Sequence, residues 1–138
     1  VTERWSAPHG LDLPPEPVEI VAGPVQLRPW EPRLAAELAT LHGWAEPDAV
    51  GRRLREWRTG VALSFAVQES TTARLLGEVV LRPLPDAAAE VSCRCLPHAR
   101  EAAGTALDAV SRWATGALGA TRVVRRADPE RTESRAHQ

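Results

Sequence analysis

The residues of this chain with the most evident chemical reach lie between positions 90 and 105. Cys93 and Cys95 are two apart on a stretch that reads as a strand, so their thiols face the same way. Neighbours on one strand are poorly placed for a disulfide. A metal would need two further ligands, and only His98 is near. Core thiols are the simpler reading, and His98, directly after Pro97, reads as an exposed turn residue. Residues 97–104 join that strand to a long helical pattern. Backbone N–H groups at such a junction, with a helix dipole behind them, can hold a phosphate, and Arg100 and Gly104 lie within it.

A strand, a helix and a second strand must position these groups. Ala103, Ala106, Leu107, Val110, Trp113, Ala114 and Ala117 form an apolar stripe opposite Asp108, Ser111 and Arg112, which predicts a helix over 102–118. Strands at 89–96 and 121–127 flank it, and this order implies a βαβ crossover with the two strands parallel. On the first strand Val91, Cys93 and Cys95 share one face, and Glu90, Ser92 and Arg94 share the other.

Upstream, residues 18–21 and 25–28 predict a small hairpin about a turn at 22–24. A helix beginning near Pro32 places Leu34, Leu38 and Leu41 on one face and ends at Gly43. A second helix over 47–58 turns Val50, Leu54 and Trp57 inward, with Arg52, Arg53, Arg55 and Arg58 as a solvated face. Apolar, β-branched runs at 61–68 and 75–81 predict an antiparallel pair joined at 70–73. Residues 83–86 then turn the chain into the strand at 89–96. Residues 1–17, with Pro8, Pro14, Pro15 and Pro17, predict an arm outside the packed domain.

Length and charge bound the rest. A chain of 138 residues suits one domain, and a net charge of −1 provides no global field to attract nucleic acid or a membrane. All 17 basic residues are arginine, a bias that fits codon usage and assigns them no collective role. Residues 1–23 contain no apolar run of signal-peptide or membrane-span type. With reduced thiols, this implies a cytoplasmic protein.

Several phrases together resemble the GNAT superfamily of N-acetyltransferases, and within it the branch acting on ribosomal-protein N-termini and small amines. Pro97, Arg100, Gly104 and Thr105, the run from Ala106 to Val110, and Trp113 with Ala114 keep the outline of its coenzyme A turn and helix. The phrase VQLRPW (25–30) resembles its first strand, and ALSFAV followed by LLGEVVLR resembles its central hairpin. The resemblance implies a mixed α/β (α+β) GNAT-type acyl-CoA N-acyltransferase fold over 18–138, lacking the family's C-terminal helix and strands. It implies acetyl-CoA as co-substrate and an amine acceptor, either a protein N-terminus or a small molecule. Carried over residue by residue, it implies cofactor contacts at Cys95, Leu96, Arg100, Ala102, Gly104 and Thr105, and catalytic roles for Glu90 and Ser134.

Two departures from the family pattern carry expectations of their own. ArgGluAlaAla at 100–103 stands where the family has glycines, so Glu101 would oppose the diphosphate, and weak or absent acetyl-CoA binding is expected. Only Trp44, Ala45 and Glu46 separate Gly43 from Pro47, which predicts a reduced acceptor pocket. An open sheet edge at 121–127 predicts dimerisation, as a homodimer, or aggregation or poor solubility. Two functions stay open: an N-acetyltransferase of reduced competence, and an inactive remnant serving as a binding or dimerisation module or persisting as the product of a decaying gene.

Overall fold

The computed structural model describes residues 9–126. Six strands form one mixed sheet in the order β1-β2-β3-β4-β5-β6, so neighbours in sequence are neighbours in the sheet. The strands are β1 Ile20–Ala22, β2 Val25–Arg28, β3 Leu63–Glu69, β4 Leu75–Leu84, β5 Ala88–Cys95 and β6 Arg122–Arg126. The first four pairings are antiparallel, and β5 with β6 is parallel. Helix α3, Arg100–Gly116, makes the crossover between β5 and β6, so the βαβ unit expected from sequence is present.

Alternation along the strands builds two cores. Leu63, Phe65 and Val67 of β3, Val79 and Leu81 of β4 and Val91 of β5 point to one face, where Ala106, Ala109, Val110 and Ala114 of α3 bury against them. Trp113 of α3 meets Phe65 edge-on, with ring centroids 5.5 Å apart. The opposite face is covered by α1 (Ala35–His42), which follows a 3-10 turn at Pro32–Leu34, and by α2 (Ala49–Thr59). There Trp30, Leu34, Leu38, Leu41 and Val50 pack with Ala66 and Leu75. Gly43, at φ 86, ends α1 in the left-handed conformation that a glycine adopts without strain.

Four features depart from the sequence expectations. The end of the proline-rich segment is packed: Leu11 is buried in the α3-side core, Asp12 N–H donates to Leu118 O at 3.0 Å, and Trp57 Nε1–H donates to Pro14 O at 3.0 Å. Apolar Leu11 and Leu13 give that stretch surface to bury despite its prolines. The arginine face of α2 is not wholly solvated, because Arg53 is buried, with only 7% of its side chain exposed. Strand β4 runs on to Leu84, with Pro83 opposite Ala89, so the chain reverses later than expected. Helix α3 begins at Arg100 and ends at Gly116, so Ala117 lies beyond its end and is exposed.

Candidate functional site

Among the described residues, Arg53, Ser64 and Glu78 are buried polar groups that meet at one carboxylate, while a fourth, Gln68, donates to Ala73 O. Glu78 is only 3% exposed. It lies on the face of β4 that α1 and α2 cover, and it accepts hydrogen bonds from residues far away in sequence. Arg53 of α2 donates from Nε to Oε2 at 2.5 Å and from Nη2 to Oε1 at 3.1 Å. Ser64 of β3 donates its hydroxyl to Oε2. Trp30 Nε1–H in turn donates to Ser64 Oγ at 2.7 Å. His42, the last residue of α1, places Nε2 2.8 Å from Glu78 Oε1.

Electrostatics follow from this crowding. Burial alone would push the Glu78 carboxyl up, but the hydrogen bonds from His42, Arg53 and Ser64 and the charge of Arg53 outweigh it and hold the group at about 2. Arg53 is itself secured: Nη1 donates to Ala49 O at 3.1 Å, Glu46 Oε1 lies 3.7 Å from Nη1, and the guanidinium stands over the Trp30 ring at 5.7 Å. Glu46 bonds Arg52 as well, which lowers the Glu46 carboxyl and raises the Arg52 guanidinium.

This network forms part of the wall of a cavity of about 1040 Å³ between the sheet and the two N-terminal helices. Its floor is the polar face of β4 and β5, where the register pairs Glu78 with Arg94, Val80 with Ser92 and Arg82 with Glu90. Trp44, 57% exposed, and Ala45 of the short α1–α2 connection line it too. Gly77 permits the close pairing of these strands: a Cβ there would stand 2.6 Å from Arg94 O, so only glycine lets β5 come this close to β4.

The residues singled out from sequence fall in two places. Glu90 lines the cavity and is ion-paired with Arg126 of β6. Ser134 lies outside the described residues. Cys95 ends β5 opposite Gly77, and Leu96 N–H donates to Leu76 O at 2.9 Å. Arg100 opens α3 and is exposed, Ala102 packs toward the core, Gly104 is exposed, and Thr105 Oγ1–H donates to Glu101 O at 3.3 Å. The turn expected over 97–104 is thus shorter, and Glu101, Ala102 and Ala103 are already helical. No side chain caps α3; Ala103 N–H donates to Ala99 O at 2.9 Å, and the N–H groups of Arg100, Glu101 and Ala102 precede this first bond of the helix. A Cβ on Gly104 would meet nothing within 4 Å, so its backbone lies open to an approaching group. These features fit a phosphate-bearing ligand at the start of α3. Glu101 in the same turn is set favourably against the helix dipole and unfavourably against such a ligand.

Sequence reasoning missed His42, Arg53 and Glu78. Glu78 interrupts the apolar run LLGEVVL at an inward-facing position, and that was the one available signal. Among the described residues no group of His, Cys, Asp and Glu side chains could hold a metal ion, and no helix is long and apolar enough to cross a membrane.

Solved structures share this architecture. A Vibrio cholerae protein described as a ribosomal-protein-serine acetyltransferase superposes with a TM-score of 0.71 at 26% identity, over 86% of this chain and 79% of that one. Mycobacterium smegmatis RimJ, in complex with CoA-disulfide, gives a TM-score of 0.69 at 21% identity, over 91% of this chain and 75% of its own. An acetyltransferase from Agrobacterium tumefaciens gives 0.62 at 18% identity, over 91% and 82% respectively. No protein-family model matches the chain, and no curated protein matches it in sequence. The chain carries the fold of the GNAT acetyltransferases. The resemblance read from its strand phrases and its α3 helix holds in three dimensions.

Proposed function

We propose that the chain is an acetyl-CoA-dependent N-acetyltransferase whose acceptor is an amine, either a protein N-terminus or a small molecule. The observation that carries this reading is the cavity over β4 and β5, open to solvent and floored by charged and hydroxyl side chains, in a chain with this fold. Transfer is direct: the amine nitrogen attacks the thioester carbonyl carbon and the C–S bond breaks. The electron pair leaves on sulfur, which takes up a proton, and the nitrogen gives one up.

Coenzyme A diphosphate would lie at the first turn of α3, against its open N–H groups and Arg100, with Cys95 and Leu96 leading toward the thioester. Glu90, paired with Arg126, suits a carboxylate that orients water or the amine. Ser134 is the proposed donor near the leaving thiol. Glu101 weakens the diphosphate site, so the affinity for acetyl-CoA is modest. Dimerisation through the edge of β6 and a cytoplasmic location belong to the same proposal.

The test is mass spectrometry of a peptide with an N-terminal serine and of a small polyamine, each incubated with acetyl-CoA and the full chain. Acetylated product above the protein-free control is the expected result. Its absence across both acceptors would remove the reading.

A further inference from the structure

Resting on that acetyl-transfer reading, we infer that His42, held in place by Glu78, is the group that takes the proton from the acceptor amine. His42 lines the cavity with 22% of its side chain exposed, so it is fixed by the protein on one side and reachable from the other. Glu78 is ionised and can only accept hydrogen bonds, so His42 Nε2 must carry the hydrogen that joins them. The lone pair then sits on Nδ1, which has no hydrogen-bond partner among the described residues. A carboxylate that orients an imidazole and fixes its tautomer is a recurring way to present a base.

Competing bases in the cavity are engaged. Glu78 is saturated by three donors and nearly sealed from solvent, which makes it a positioning residue. Glu90 is tied to Arg126. Glu46 is tied to Arg52 and stands beside Arg53. The charged groups facing His42 from packed elements are Glu78 of β4 and Arg53 of α2, whose Nη2 is 3.4 Å from Nε2. Arg82, Glu90 and Arg94 are set farther along the floor. Histidine can exchange a proton within the physiological range, and the cross-strand pairs of Glu78 with Arg94 and of Gly77 with Cys95 set Glu78 beside the end of β5 proposed to lead toward the thioester.

The proton balance is simple. The acceptor ammonium first loses one proton to Nδ1, which His42 returns to solvent through the open mouth of the cavity; the free amine then attacks, and the second proton it gives up balances the one taken up by the leaving sulfur.

The experiment compares pH profiles of kcat/KM for the wild type and His42→Gln, using the serine peptide. Glutamine can still donate to Glu78 from its amide nitrogen but cannot take up the proton. The expected result is a fall of about 10²–10⁴-fold, with loss of the ascending limb, while acetyl-CoA affinity and the thermal midpoint stay unchanged. Free imidazole should partly restore His42→Ala. A His42→Gln variant within threefold of wild type and with the same profile would overturn the inference and leave the acetyl-transfer reading standing. An inactive wild type would overturn both. Nitrogen NMR of His42 gives an answer independent of turnover: a hydrogen on Nδ1 in the neutral form would also contradict the assignment.

Discussion

The cavity floor and the start of α3 are built on opposite principles. Around Glu78 a charged group is buried and every oxygen is satisfied by donors from three other elements, so its geometry is over-determined. At the start of α3 the charged side chains Arg100 and Glu101 are exposed, and the N–H groups of Arg100, Glu101 and Ala102 precede the first bond of the helix. The first region is organised before any ligand arrives. The second presents its charged side chains to solvent. Substitutions should therefore act on stability and proton transfer in the first region, and on acetyl-CoA affinity in the second.

The largest effect is expected from Arg53→Met. It leaves the Glu78 carboxylate buried without its main counter-charge, a loss of about 3–5 kcal/mol, read as a fall in the midpoint of urea unfolding. Replacing both partners, Arg53→Met with Glu78→Leu, should recover much of that loss. A single variant as stable as the wild type would show that the pair is not buried as described.

Acid stability comes next. The Glu78 carboxyl lies at about 2 in the folded chain against 4.5 ordinarily. A depressed carboxyl contributes stability that is fully present above its unfolded value and is lost as pH falls through the folded one. About 3 kcal/mol should thus disappear between pH 4.5 and 2. Glu78→Gln, less stable at neutral pH, should lack that component of the acid limb in denaturant titrations.

A smaller effect is expected where the two regions adjoin. Gly77→Ala would push a methyl against Arg94 O and Cys95 Cα, forcing β4 and β5 apart at a cost of about 1–3 kcal/mol. The lead-in to α3 should shift with it, and a thermal melt together with acetyl-CoA titration would detect both changes.

Smallest of all should be Glu101→Gln, which removes an exposed charge from the first turn of α3. Acetyl-CoA affinity should rise about two- to tenfold, with a slight loss of helix stability because the acid complements the dipole.

The contrast between the regions also explains what the sequence revealed. Local signals were readable: the apolar stripe from Ala106 to Ala114, the leucines of α1 ended by Gly43, and the run from Leu63 to Val67 appear as the elements expected. Glu90 was picked out by resemblance and does line the cavity. The network around Glu78 was hidden because its members come from separate elements, with 25 positions between Arg53 and Glu78 and 36 between His42 and Glu78. Arg53 sits among three other arginines on α2, and nothing local distinguishes the one that turns inward. Only the tertiary packing of α1 and α2 on the sheet selects it.

Calorimetric titration of acetyl-CoA into the full chain at neutral pH tests the account most directly. Saturable one-to-one binding is predicted, with a dissociation constant between about 10 µM and 1 mM, and Arg100→Ala should weaken it about tenfold. No saturation at millimolar acetyl-CoA, or full affinity retained by Arg100→Ala, would contradict a coenzyme site at the start of α3.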